Sequence, residues 1–254
     1  PQGKNHCITR RRSLCGIMIL SIKLKSGLEV ICMVDKNLLS ELYPFWKELT
    51  PPQEAEIAAN TVIRTFKPGE VVHGGGQECT GVLGVLRGRL RTFMLSDEGK
   101  EITLFRLVDG DTCMLSASCM IRNISFDVHV SAEIKTEVAI INAAVYDKVA
   151  KRNPHVESFM NEIISMRFSE VMWVVEQVLF MKMDKRLSIF LLEQSALDQS
   201  DTIVMTHEQI ASHLGTAREV VSRVLKYLSN EGHIAVSRKG IKILNRNGLL
   251  KMTG

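Results

Sequence analysis

The sequence predicts an α+β protein: an antiparallel β sandwich or barrel, then a long helix, then a small helical domain ending in a β-hairpin. Three observations predict it. Between residues 62 and 142, short β-rich runs alternate with turns carrying Gly and Asp, the mark of antiparallel sheets. From 155 to 183, apolar residues return every three or four positions without a break. From 206 to 228, two short amphipathic helices flank a glycine and leave charges on one outer face. At 254 residues and 45% apolar composition the chain can fill real cores, which excludes disorder. With 17 Gly and 6 Pro it is not collagen-like.

Residues 1–32 differ from the rest, with Lys4, Arg10, Arg11, Arg12, Lys23 and Lys25 against Glu29 alone. A basic start and an apolar run at 14–22 resemble a signal peptide. The run is too short to span a bilayer, and no small-residue cleavage site follows it. The second reading is upstream DNA translated from a misplaced start. Leu28-Glu29-Val30 is encodable by a ribosome-binding sequence just ahead of Met33. On that reading 1–32 is a non-native, mis-started segment and Met33 is the first residue.

Residues 37–49 read as helical, with Leu38, Leu39, Leu42, Phe45, Trp46 and Leu49 on one side. Pro51-Pro52 opens a second helix to about Asn60. Strands are expected at 82–85, 90–95, 102–107, 126–132 and 137–142, with Gly88 as a hairpin turn and 97–100 and 109–111 as further turns. In the long helix Met160, Ile164, Phe168, Val171, Val175 and Val178 form a stripe that Met166, Met172, Val174 and Leu179 widen. A helix apolar on two faces packs on its own domain and on a partner, here a second copy. The expected segments are therefore 33–150, a dimerisation helix at 154–183, and a separate domain at 184–254.

The most informative stretch is 206–228. Thr206 is placed to cap one helix, with Ile210, Ala211 and Leu214 inward. Gly215 supplies the stop and turn, and Thr216 is placed to cap a second helix with Val220, Val221, Val224, Leu225 and Leu228 inward. The second helix then presents Arg218, Glu219, Ser222 and Arg223, whose spacing returns to one face. Arg pairs with guanine, Glu accepts from cytosine, and Ser suits either role in a major groove. Residues 232–243 read as a hairpin with Ser237-Arg238-Lys239-Gly240 at its tip, a wing placed to touch phosphate.

These residues resemble the Crp–Fnr superfamily of bacterial transcription regulators, over about 37–251. The carrying motif is Leu214-Gly215-Thr216-Ala217-Arg218-Glu219-Val220-Val221-Ser222-Arg223. The resemblance extends to Lys67-Pro68-Gly69-Glu70, Leu86-Arg87-Gly88-Arg89-Leu90 and Asp97-Glu98-Gly99-Lys100-Glu101. It implies an N-terminal jelly-roll-like β-roll of the cyclic-nucleotide type, a dimerisation helix and a C-terminal winged helix-turn-helix. It further implies base contacts from Arg218, Glu219, Ser222 and Arg223, and phosphate contacts from Thr206, Thr216 and Lys239. The implied partners are a palindromic double-stranded operator, RNA polymerase, a second copy of the chain and a small-molecule effector.

In nucleotide-binding members a Glu follows the Gly-Asp turn and an Arg-Ser pair holds the phosphate. Here Met114-Leu115-Ser116-Ala117 follows Gly110-Asp111, and Phe126-Asp127 occupies the Arg-Ser place. An apolar ring and a like charge cannot offset phosphate desolvation, so no cAMP binding is expected. Cys113, Leu115, Ser116, Phe126 and Asp127 are the candidate effector pocket. The Fnr-type iron–sulfur pattern is missing at 138–140, and Cys7, Cys15 and Cys32 have the wrong spacing. His73 and His129 keep haem open, and Cys113 with Cys119 keeps a thiol pair open. No cofactor, metal site or catalytic residue is expected, since no phosphate loop, nucleophile elbow or H-E-x-x-H occurs. Six scattered cysteines without C-x-x-C point to a reducing, cytoplasmic setting and no membrane.

The net charge of +4 divides unevenly. Residues 33–183 carry sixteen basic and twenty acidic side chains, and 184–254 carry ten and seven. An acidic sensor joined to a basic reader is a sharper pointer to nucleic acid than the total.

Overall fold

The computed structural model describes residues 35–74, 79–114 and 127–253, and gives 9–12, 18–24 and 27–33 as backbone. Leu115, Ser116, Cys119 and Phe126 lie outside the described residues. The three opening strands, Thr9–Arg12 (β1), Met18–Leu24 (β2) and Gly27–Met33 (β3), form an antiparallel sheet in that order.

Helix α1 spans Lys36–Leu42, its first turn closed by Asp35, whose Oδ1 accepts from the Asn37 amide at 2.9 Å. The expected single helix to Leu49 is broken at Tyr43. That residue precedes Pro44 and takes an extended conformation, after which Pro44–Glu48 forms a 3₁₀ turn. Helix α2 (Pro51–Ala59) starts at the Pro pair behind a capping box of Thr50 and Gln53.

Eight strands follow: Thr61–Phe66 (β4), Val71–His73 (β5), Val82–Arg87 (β6), Arg89–Leu95 (β7), Glu101–Val108 (β8), Thr112–Cys113 (β9), His129–Ala132 (β10) and Thr136–Ile141 (β11). They make two four-stranded sheets, ordered β5-β10-β7-β8 and β4-β11-β6-β9. Gly88 is therefore not the tip of a hairpin. Strands β6 and β7 belong to different sheets, and Gly88, at φ +115°, turns the chain from one to the other. A Cβ there would lie 2.6 Å from the Thr136 hydroxyl oxygen and 2.7 Å from its Cα, so the crossing admits only glycine.

Two compact units result: residues 1–92 with 106–167, and residues 93–105 with 168–254. The first has a core of Leu39, Tyr43, Phe45, Trp46, Ile57, Val82, Ile141, Tyr146 and Val156 among others. Helix α3 (Ala143–Ala150), capped by Asn142, contributes Tyr146, whose hydroxyl donates to the Val156 carbonyl at 3.1 Å. The same unit buries an ion triad. Arg89 Nε stands 2.7 Å from one Glu133 oxygen and Arg106 Nε donates to the other at 2.8 Å.

Helix α4 (Pro154–Phe180) begins behind Asn153, whose Oδ1 accepts from the His155 amide. Val156, Ile163 and Arg167 are buried along its first half, with Phe159, Met160 and Ile164 packed on the core. The second half is bare: Phe168, Leu179 and Phe180 are 66%, 66% and 80% exposed, and Met172, Trp173, Val175 and Val178 are exposed as well.

The second unit contains α5 (Met183–Leu197), β12 (Thr202–Ile203), α6 (His207–Leu214), α7 (Arg218–Asn230), β13 (Ile234–Ser237), β14 (Gly240–Ile243) and α8 (Arg246–Thr253). Its core is built from Leu187, Phe190, Leu191, Ile203, Ile210, Leu214, Val221, Leu225, Leu228, Ile241 and Leu249. The sheet is ordered β12-β14-β13. Strand β12 and helix α8 are additional to the helix pair and hairpin read from the sequence.

The Glu133→Gln substitution removes the carboxylate that two buried guanidiniums share. It should cost about 3 kcal/mol of folding stability, read as a lower urea midpoint with an unchanged slope. A midpoint equal to wild type would mean that the triad contributes no net stability.

Candidate nucleic-acid interface

The reading head is assembled by a sharp turn between α6 and α7. Thr206 caps α6: its Oγ1 accepts from the Gln209 amide at 3.1 Å, while Gln209 Oε1 accepts from the Thr206 amide at 2.8 Å. Gly215 ends the helix at φ +63°, ψ +40°, where a side chain is strained, and its amide donates to the Ala211 carbonyl. The Thr216 amide donates to the same carbonyl at 3.1 Å. The expected Thr216 cap of the second helix is taken by Ala217 instead, which has no side chain to accept the first amides of α7.

Two contacts that sequence reasoning missed brace this turn. Arg186, on α5, donates from Nη2 to the Leu214 carbonyl at 2.5 Å, placing a cation on the last carbonyls of α6. Burial lowers the Arg186 pKa from its ordinary value, as expected for a guanidinium taken largely out of water. His207 Nδ1 shares a hydrogen bond with Ser222 Oγ at 2.8 Å, tying the start of α6 to the middle of α7. Twenty-eight residues separate Arg186 from Leu214, and no local pattern signals the pairing.

Arg218, Glu219 and Arg223 are exposed on the first turns of α7, opposite the buried Val221, Leu225 and Leu228. Among the described residues their side chains make no hydrogen bond or ion pair. Ser222, the fourth expected base contact, has partners within the head. It is half-buried, donates to the Arg218 carbonyl at 3.0 Å, and also faces His207. Thr206 is exposed and Thr216 half-buried, both at helix ends. At the wing, β13 and β14 pair from Ile234↔Ile243 to Ser237↔Gly240, leaving Arg238 and Lys239 as an exposed two-residue tip. The Lys239 amide donates to Ser237 Oγ at 3.2 Å, which fixes the loop. Arg218, Arg223, Lys226, Arg238, Lys239 and Lys242 are all exposed, a basic set suited to a polyanion.

Of the candidate effector residues, two are described. Cys113 is buried in β9 opposite Leu83 with its thiol free of any disulfide, while Cys119 lies outside the described residues. Asp127 is exposed on the approach to β10. His73 is buried, its Nδ1 2.8 Å from Thr80 Oγ1. Burial, assisted by His129 and opposed by Asp127, holds its pKa below the ordinary histidine value. Cys79, adjacent to Thr80, is disulfide-bonded. Among the described residues no three His, Cys, Asp or Glu gather as a metal site. No described helix is long and apolar enough to cross a membrane.

A Crp-like helix-turn-helix domain matches residues 185–252. The transcriptional regulatory protein Btr of Bordetella pertussis is 27% identical over 181 residues, covering 68% of this chain and 73% of Btr. The transcriptional regulator Flp of Lacticaseibacillus casei is 27% identical over 207 residues, covering 80% and 92%. A solved structure of a Crp/Fnr-family transcriptional regulator from Eubacterium rectale is 42% identical. It superimposes with a TM-score of 0.81 over 84% of this chain and 98% of that one. With a reading head of this geometry and a relative this similar over nearly its whole length, the chain belongs to the Crp/Fnr family of transcriptional regulators.

Proposed function

We propose that the chain acts as a cytoplasmic homodimer whose two reading heads bind a palindromic DNA duplex, with RNA polymerase as a further partner. The observation that carries this reading is the exposed Arg218, Glu219 and Arg223 set, held on one face of α7 directly after the Gly215 turn. Arg218 and Arg223 pair with guanine edges and Glu219 accepts from cytosine. Ser222, already hydrogen-bonded within the head, orients α7 and donates to a base only by exchanging its partners. Thr206, Thr216 and Lys239 meet phosphates, which position the head without reading sequence.

The bare apolar half of α4 supports pairing with a second copy. Two-fold symmetry then places half-sites about one helical turn apart. The β unit receives a signal that shifts the relative placement of the two heads. An acidic Asp127 where a phosphate-binding pair would stand supports a signal other than cAMP. A second reading, thiol-based redox sensing, is favoured by the disulfide at Cys79. In a reducing compartment a disulfide is characteristically transient and signal-bearing.

Arg223→Ala should cost about 1–3 kcal/mol of binding and relax preference at one base pair per half-site. Binding-site selection from random duplexes measures it; equal weakening on all sequences would assign Arg223 to phosphate instead. Charge placed on the bare stripe, as Phe168→Glu with Leu179→Glu, should convert the dimer to a monomer in sedimentation and abolish palindrome binding. A variant that stays dimeric would overturn the α4 interface. For the redox reading, dithiothreitol should change DNA affinity at least threefold in the wild-type chain and leave Cys79→Ser unaffected. Equal affinities with and without reductant would remove it.

A further inference from the structure

Ser222 stands one turn beyond Arg218 on α7 and is half-buried, so part of its surface stays open. A serine hydroxyl reads bases ambiguously, because one proton and two lone pairs let it donate or accept. In this head the ambiguity is removed. Ser222 Oγ donates to the Arg218 carbonyl at 3.0 Å, a bond back to the preceding turn. The same oxygen lies 2.8 Å from His207 Nδ1. One proton cannot serve both contacts. Both are hydrogen bonds only when the His207 ring carries a proton on Nδ1 and donates it to Ser222. The opposite neutral tautomer would leave one of the two contacts as lone pair facing lone pair.

The relay runs from His207 through Ser222 to the Arg218 carbonyl, and rigid elements carry it. His207 is the first residue of α6, directly after the capping residue Thr206, whose box with Gln209 fixes the helix start. Ser222 follows the buried Val221, and Ile210, Leu214, Val221 and Leu225 join both helices in one core. The hydroxyl proton is given to Arg218, and one lone pair is taken by His207. The remaining lone pair is all that Ser222 can offer a base while the relay stands. A second proton on the ring goes to Nε2 and leaves the Nδ1 donor in place, so the rule holds for either charge of His207.

We propose that the relay makes Ser222 an acceptor-only reader, selecting an amino-bearing base, adenine or cytosine, over the keto bases guanine and thymine. Adenine N6 and cytosine N4 present donors in the major groove, whereas guanine O6 and thymine O4 would set a lone pair against a lone pair. The proposal rests on the reading of α7 as the DNA-contacting helix. His207 is a positioning residue that acts on the base through Ser222.

In the whole chain without DNA, long-range proton–nitrogen NMR of the His207 ring should show Nδ1 protonated. A neutral ring protonated at Nε2 alone would overturn the relay, whatever the chain binds. Binding-site selection from random duplexes then compares wild type with Ser222→Ala, His207→Ala and His207→Asn. Failure of the wild-type chain to select any duplex would count against the DNA reading itself, and the NMR result stands apart from it. The relay predicts one position per half-site where wild type prefers adenine or cytosine about fivefold or more. Ser222→Ala should lose that preference. His207→Ala removes the donor that fixes the hydroxyl, and the preference at that position alone should fall about threefold or more. His207→Asn returns an N–H to the place of Nδ1 and should restore it. A keto preference at the Ser222-dependent position, or no position that depends on Ser222, would overturn the proposal. So would an unchanged preference in His207→Ala, even with weaker binding overall, since a purely structural role gives that result. If His207→Ala folds poorly, His207→Phe fills the ring's volume without an N–H, and its contrast with His207→Asn decides the question.

Discussion

The left-handed turn at Gly215 is the constraint on which the reading head depends. A right-handed continuation would carry α6 straight on and leave the inward residues of α7 facing water. The αL conformation reverses the chain within three residues, so that Leu214 and Val221 enter one core. Everything near the turn serves it. The Ala211 carbonyl receives two amides, and Arg186 takes up the Leu214 carbonyl that helix termination would orphan. His207 and Ser222 lock the angle between the helices from the opposite end. The exposed Arg218–Arg223 face is therefore a consequence of backbone geometry and needs no attraction among the charges themselves.

Buried charge plays a comparable part in the first compact unit, by a different mechanism. Glu133 lies just after β10, Arg89 opens β7 and Arg106 sits in β8, three strands of one sheet. An ion triad of this kind contributes modestly to net stability but penalises any register that separates its members. Arg167, buried on α4, behaves similarly, donating to the Thr112 carbonyl at 3.3 Å with Asp111 3.8 Å away. A helix is thereby keyed to the edge of a sheet through polar contacts rather than shape alone.

Legibility in the sequence follows the range of the interaction. The helix-turn-helix was readable because its signals are local: Thr206 with Gln209, a helical apolar period, and a glycine at the stop. Strand existence was readable for the same reason, as at 82–87 and 101–108, but strand partnership was not. Gly88 looks like a hairpin turn in one dimension, whereas its flanking strands pair with β11 and β10 far along the chain. Helix α8 escaped because eight residues with one fully buried side chain, Leu249, give too short a period to detect. Thr216 shows the limit of propensity: a good capping residue stands one position ahead of the helix start, and Ala217 takes the cap position. Arg186 and Glu133 were invisible as site and core residues, since charged side chains are ordinarily assigned to the surface.

The bare half of α4 and the basic reading head explain each other on the dimer reading. Exposed Phe168, Leu179 and Phe180 are unfavourable in an isolated chain, at about 1.5–3 kcal/mol for each large apolar side chain that could be buried. A self-complementary stripe recovers this and fixes two heads by one symmetry axis. Each base contact then counts twice, so a modest set of three side chains per head reaches useful specificity. The same axis makes the head's placement the sensitive variable. A small rotation at α4 changes the separation of two recognition helices that must meet successive major grooves. On the proposed reading, a signal received by the β unit needs no contact with DNA to change whether DNA is bound.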